Sequence, residues 1–317
     1  MARSISSPPP AADTSVNEVS GRPVVLNLLI SLRPAQWTKN LLVFAGLLFG
    51  RRLLDRTAVG GAVAAFAIFC ALSGVVYLIN DVVDRESDRR HPLKARRPIA
   101  SGALALPTAL GAAVVLGTGG LAAAFFLGWR FGIVASLYVA LFALYSGPLK
   151  HIVIVDVLAI AVGFVLRAIA GAVVVDVAIS HWLLVCTILL ALFIVLAKRR
   201  HEIVLLEGGA TSHRSALGDY SPYLLDQMIA VVAASTLIAY IFYTISPETQ
   251  EKFGTPWLGL TIPFPLYGIF RYLYLVHQRE GGGSPADTLL TDRPLLTCVA
   301  LWALAVVFII YRPFARW

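Results

Sequence analysis

Asn80-Asp81-Val82-Val83-Asp84-Arg85-Glu86-Ser87-Asp88 is the stretch of this chain best equipped for chemistry. At about 100° per helical residue, Asp81, Asp84 and Asp88 fall within about 60° of one another on one helix face. Carboxylates gathered so closely repel unless a cation holds them. Oxygen donors alone point to a hard cation, Mg²⁺ ahead of Ca²⁺, with Asp81, Asp84, Asp88 and Asn80 as the candidate ligands. Magnesium held by carboxylates usually keeps open positions for substrate phosphates. Arg89, Arg90, His91, Lys94, Arg96 and Arg97 follow directly, and such cations suit the rest of a phosphate-bearing ligand. The plainer alternative is a solvated acidic helix end followed by a basic loop. The rest of the chain decides between them.

The acidic stretch follows the apolar run Thr57 to Ile79, and that pattern recurs. Of 317 residues, 58% are hydrophobic and 14% charged, with mean hydropathy +0.78. A soluble domain carries about 25% charged residues. The chain is therefore a polytopic membrane protein, and it must be all-α, because an open sheet edge has no partners in lipid. Dividing the apolar stretches at charges, Pro and Gly predicts nine transmembrane helices at roughly 25–50, 57–79, 106–128, 131–146, 152–175, 181–197, 224–245, 257–277 and 293–311. Residues 1–22 are rich in Ser, Pro and Ala and contain no apolar core of a signal peptide, so they read as a disordered cytoplasmic tail. Residues 23–317 then form a single transmembrane catalytic domain.

Lys and Arg fall mostly on one side of the predicted helices, which orients the N-terminus inside and the C-terminus outside. Every conspicuous polar cluster then faces the cytoplasm from the cell (inner) membrane. The net charge of +8 reflects this bias and an anionic substrate, with no nucleic-acid partner implied. Cys70, Cys186 and Cys298 lie inside apolar runs at no metal-ligand spacing. No Walker loop, HExxH motif or nucleophile triad is present, so Ser and Cys nucleophile chemistry has little support.

Other polar residues need positioning too. Lys39 and Asn40 lie deeper in the first span than an interfacial anchor requires, a depth at which ionisable groups face a watered cavity or a partner. Lys94 and Arg97 sit in a loop between Pro92 and Pro98 that doubles as a positive-inside loop or a phosphate grip. Tyr145 and Lys150 flank the turn between the fourth and fifth spans. Asp156 and Arg167 share a face of the fifth span about 16 Å apart, too far to pair directly. Arg167 is either part of an intramembrane ion pair or a functional group. Lys198-Arg199-Arg200-His201-Glu202 closes the sixth span, with Lys198 and Glu202 one turn apart.

The spacing from Asn80 to Asp88 resembles NDxxDxxxD, the first Asp-rich signature of the UbiA superfamily of intramembrane prenyltransferases. Typical members carry a second DxxxD motif after the sixth helix, also for magnesium. Here that place holds Lys198 to Glu202. Leu32-Arg33-Pro34-Ala35-Gln36-Trp37-Thr38-Lys39-Asn40-Leu41-Leu42-Val43-Phe44, Arg97 to Gly102, Leu166 to Gly171 and Ala197-Lys198-Arg199 look like the decaprenyl-phosphate phosphoribosyltransferase group. That resemblance implies transfer of 5-phosphoribose from phosphoribosyl diphosphate (PRPP) to a polyprenyl phosphate for cell-envelope synthesis. Asp81, Asp84 and Asp88 would then be catalytic through Mg²⁺, with Asn80 beside them. Lys39, Asn40, Lys94, Arg97, Tyr145, Lys150, Arg167, Lys198, Arg199 and Glu202 would serve the substrates. A homo-oligomer is compatible with the sequence. Two rivals stand beside this reading. One is a UbiA prenyltransferase joining a prenyl diphosphate to an aromatic acceptor. The other is a transporter with Asp156 and Arg167 along its path.

Overall fold

The computed structural model describes residues 22–91, 94–178, 180–207, 219–278, 288–289 and 291–311. The expected tail lies outside these except for Arg22. The described chain is an all-α bundle. After the short helix α1 (Val24–Ser31) and a 3-10 helix (Pro34–Phe44) come α2 (Ala45–Phe49), α3 (Arg56–Val83), α4 (Arg85–Arg90), α5 (Pro98–Ser101), α6 (Leu106–Leu127) and α7 (Trp129–Ser146). α8 (Val155–Val174), α9 (His181–Glu207), α10 (Pro222–Ile245), α11 (Pro247–Phe253), α12 (Pro263–Gln278) and α13 (Arg293–Tyr311) complete it.

Among the described residues, seven helices are long and apolar enough to cross a membrane: α3, α6, α7, α8, α9, α10 and α13. The nine continuous spans expected from hydropathy are thus corrected at two places. The first breaks into α1, the 3-10 helix and α2, because Arg33 adopts a left-handed conformation (φ 53°) immediately before Pro34. The eighth is the 16-residue α12, opened by Pro263 and carrying Arg271 in its interior.

α3, α6, α7 and α8 pack consecutively, the 3-10 helix lies against α3 and α8, and α9 joins this group to α10 through α8. A buried set including Val43, Phe69, Leu72, Phe131 and Tyr138 fills the first group. Phe193, Leu225, Ile229 and Tyr272 fill the second. α3 starts cleanly because the Asp55 carboxylate accepts from the backbone N–H groups of Thr57 and Ala58. α10 starts with Ser221 as its cap and Pro222 in its first turn.

A 3-10 run of 11 residues is unusual, and close packing sustains this one. A Cβ on Gly171 of α8 would lie 1.8 Å from the Val43 carbonyl oxygen, and one on Gly46 would lie 2.6 Å from the Ala172 nitrogen. Backbone therefore touches backbone, which sets Lys39 and Asn40 against α8. Irregular backbone at membrane depth is tolerated only where protein or a water-lined cavity satisfies it.

Candidate active site

α3 ends at Asp84, whose φ of −86° and ψ of 4° make it the only break before α4. The hydrogen-bond ladder nonetheless runs through: Asp84 N–H donates to Asn80 and Asp88 N–H to Asp84, both at 2.8 Å. The shared acidic face expected from the spacing survives. Each of the three carboxylates is met by a protein cation. Asp81 Oδ1 accepts from Arg33 Nη2 at 2.5 Å and from Arg97 Nη1 at 3.0 Å. The same Arg97 nitrogen donates to Asp88 Oδ2 at 2.6 Å. Asp84 Oδ1 accepts from Lys150 Nζ at 2.5 Å and its Oδ2 from the Asn80 amide at 3.0 Å. No cluster of three metal-ligating side chains occurs among the described residues. Buried or half-buried carboxylates draw in cations, and three protein cations answer three carboxylates.

Each cation is aimed by its own element. Arg33 owes its direction to its left-handed backbone and lies over the Tyr77 ring, 4.6 Å from the centroid. Arg97 precedes Pro98, the first residue of α5, and the Arg89 guanidinium donates to Ala100 to hold this loop against α4. Lys150, 4% exposed, rides on the 3-10 turn Leu149–His151 between α7 and α8. Asp84, Ser87, Asp88, Lys94, Lys150 and His151 line a cavity of about 340 Å³. A roomier groove of about 430 Å³ near Asp226 and His277 is almost wholly apolar and lies away from these carboxylates.

Lys39 lies on the other flank, part-buried and without an ion pair among the described residues, and the charges bearing on it are those of Arg167 and Arg33. Lys198 is 3.7 Å from Glu202 and keeps 45% of its side chain exposed. A cation beside cations is an anion site in waiting.

Arg167 and Arg199 are built into the scaffold. Arg167 donates to Asn40 Oδ1 at 2.8 Å, to the Gly163 carbonyl at 2.9 Å and to the Tyr138 hydroxyl at 2.7 Å. Asn40 passes the bonding on to Ser73 at 3.1 Å. All of Arg167's hydrogen-bond partners among the described residues are neutral, so no ion pair holds it. Asp156 pairs instead with Arg199 at 3.0 Å, an angle outside hydrogen-bond geometry. Arg199 also reaches Glu202 at 2.8 Å and Tyr145 at 3.2 Å. Arg199 thus braces α7 through Tyr145, α8 through Asp156 and its own helix α9 through Glu202.

Tyr220, silent in the sequence, completes this brace. Its hydroxyl accepts from the Ile154 N–H at 2.7 Å and donates to Asp156 Oδ1 at 2.9 Å. Burial pushes the phenol up to about 12, so it stays a donor. Ile154 holds φ 70° and ψ −44°, a conformation that costs a β-branched residue on the order of 1–3 kcal/mol. Arg200, Asp226 and His277 form a separate ion cluster joining α9, α10 and α12. No local spacing signals either of these pairings.

The sequence profile of the UbiA prenyltransferase family matches residues 40–289. The chain belongs to this family. Decaprenyl-phosphate phosphoribosyltransferase of Corynebacterium glutamicum is 32% identical over 290 residues, covering 90% of this chain and 86% of that protein. The enzyme of the same name from Mycobacterium tuberculosis is 33% identical over 290 residues, covering 89% and 94%. Among solved structures, a UbiA homologue from Archaeoglobus fulgidus bound to GPP and Mg²⁺ superposes with a TM-score of 0.70 at 19% identity, covering 90% of this chain and 99% of that one. The UbiA fold thus accounts for the helical bundle.

Proposed function

We propose that this UbiA-family protein is a pentosyltransferase that moves 5-phosphoribose from PRPP to a polyprenyl phosphate and releases diphosphate. The observation that carries this reading is the matching of Asp81, Asp84 and Asp88 by Arg33, Arg97 and Lys150, with Asp84, Asp88 and Lys150 lining one cavity. A donor with a diphosphate at one end and a phosphate at the other needs metal-binding carboxylates and several cations within one small volume. A prenyl diphosphate needs the first but fewer of the second. The two relatives named for this activity support the same choice.

The donor types suit magnesium: three carboxylates and one amide oxygen, all hard ligands, along the end of α3 and α4, each carboxylate now answered by a protein cation that the metal would replace. Asp81, Asp84, Asp88 and Asn80 would hold it, where it supplies charge neutralisation for the departing diphosphate. Lys150, Lys94 and Arg97 take the phosphates of PRPP on the cavity side. Lys39 and Lys198 take the acceptor phosphate on the other flank. Arg167 holds Asn40, and with it the floor under Lys39; Tyr145, Arg199 and Glu202 hold the rear wall. The acceptor phosphate is already anionic at neutral pH, so positioning and electrostatics carry the reaction without a general base. In-line attack inverts C1. The site faces the cytoplasm, where PRPP is made.

Purified protein in detergent, given labelled PRPP, decaprenyl phosphate and Mg²⁺, is expected to form lipid-linked phosphoribose in a single compartment. Formation of a prenylated aromatic product from a prenyl diphosphate, with none from PRPP, would favour the rival enzyme. Lys150→Ala is expected to raise the KM for PRPP by about 10-fold or more while the acceptor KM stays within about 2-fold, as steady-state kinetics with each substrate varied will read.

A further inference from the structure

Ile154 is held where its chemistry does not favour it. It occupies the N-cap of α8 near the rare γ-turn region. Its side chain is 48% exposed, so core packing does not lock it there. Its amide is fixed by the Tyr220 hydroxyl, which Asp156 orients in turn. Tyr220 itself is 5% exposed and seated among Val157, Phe193 and Leu225, so the clamp comes from a rigid wall.

The clamp matters because of what precedes it. The Leu149–His151 turn is closed by bonds from His151 N–H to Pro148 and from Ile152 N–H to Leu149. It therefore forms a closed unit, joined to α8 by the link Ile152–Ile154 and by the bond from Asp156 N–H to the Ile152 carbonyl at 3.0 Å. That unit carries Lys150 to Asp84 and His151 to the cavity wall. Rotating Ile154 to an ordinary negative φ would swing the unit relative to α8, and Lys150 is the side chain displaced.

We propose that Tyr220 is a positioning residue for the phosphosugar donor: its phenol holds Ile154 in a strained conformation that aims the Lys150–His151 turn at Asp84. This rests on the reading of Lys150 as a donor contact. The phenol touches no substrate and acts through the backbone, 66 residues away in sequence from the amide it holds.

The test uses the purified full chain in detergent, with PRPP and polyprenyl phosphate kinetics and hydrogen–deuterium exchange of the peptide 149–156. Tyr220→Phe is expected to raise the KM for PRPP by about tenfold, leave the acceptor KM within about twofold, and speed exchange at the Ile154 amide. Adding Ile154→Gly to Tyr220→Phe is expected to restore the KM for PRPP to within about threefold of the parent, because glycine takes positive φ without a clamp. Ile154→Ala in the same background is expected to stay impaired, since alanine keeps the Cβ. An unchanged KM for PRPP in Tyr220→Phe beside a raised one in Lys150→Ala overturns the clamp alone. A Tyr220→Phe defect that glycine fails to correct, or that alanine corrects equally, also overturns it. An unchanged KM in Lys150→Ala overturns the donor reading, and the proposal with it.

Discussion

Asp84→Ala is expected to lower lipid-linked phosphoribose formation by about 10²–10³-fold, the loss typical of removing a group that stabilises developing charge. The substitution has a second consequence that must be separated from the first. Lys150, 4% exposed, loses its carboxylate and becomes an uncompensated buried cation. Breaking such a pair from one side costs about 3–5 kcal/mol, a large share of a typical folding free energy. Asp84→Ala alone should therefore show a lowered thermal midpoint as well as lost activity. The double variant Asp84→Ala/Lys150→Ala removes both charges and should recover much of the midpoint while transfer stays absent. Transfer that returned with stability in the double variant would sink the assignment of Asp84 to the metal. Chelation of divalent cations from the parent protein should give the same loss of activity, reversed by added Mg²⁺.

Gly171→Ala is the second change with a large expected effect, although it adds a single methyl group outside the cavity. The new Cβ would stand 1.8 Å from the Val43 carbonyl oxygen, and ordinary contact begins near 3.4 Å. No rotamer relieves a clash with backbone, so the whole 3-10 helix must retreat from α8. That helix carries Asn40, whose amide oxygen accepts from Arg167, and Lys39 beside it. A displacement of about 1 Å in a positioning element costs about 10²-fold in rate. Circular-dichroism melting and the transfer assay should both show the damage. Gly60→Ala is the control, because nothing lies within 4 Å of its added Cβ. It should leave transfer unchanged and raise stability by about 0.5–1 kcal/mol, since alanine is the better helix former. A normal assay for Gly171→Ala would mean that the first segment tolerates movement, and that Lys39 is not held for a purpose.

Legibility in the sequence followed chain distance. Asp81, Asp84 and Asp88 lie within eight residues on one helix end, so their common face followed from periodicity alone, and α4 preserves it across the break at Asp84. The long apolar helices were equally plain, and α13 begins and ends where hydropathy placed it. The first span was not plain. Its hydropathy resembles that of a helix, and only Arg33 before Pro34 hinted at the break; the demand for 3-10 geometry comes from α8, more than 100 residues away. The partners of the carboxylates were hidden for the same reason. Arg33 and Lys150 approach α3 from opposite directions along the chain, and a lone arginine or lysine near an apolar run reads the same whether it anchors or pairs. Asp156 and Arg167 shared a face but stood too far apart to pair, and the partners each found, Arg199 for Asp156 and Asn40 and Tyr138 for Arg167, lie on other elements. Tyr220 had no signal at all, because its role depends on a backbone angle at Ile154.

One feature of the acidic end constrains the order in which ligands arrive. Arg33, Arg97 and Lys150 leave the three carboxylates electrically balanced without any guest. A bare dication approaching this end meets three guanidinium or ammonium groups in its way, and a bare polyphosphate meets three carboxylates. Either would have to break attractions before forming its own. A magnesium–diphosphate complex can trade with both sides at once: carboxylates exchange protein cations for the metal, and the released cations exchange carboxylates for phosphate oxygens. The count of unlike-charge contacts is then kept through the event. The protein should accordingly saturate with the magnesium complex of its donor as the true substrate, and free PRPP in excess of metal should compete poorly for the same end of the bundle.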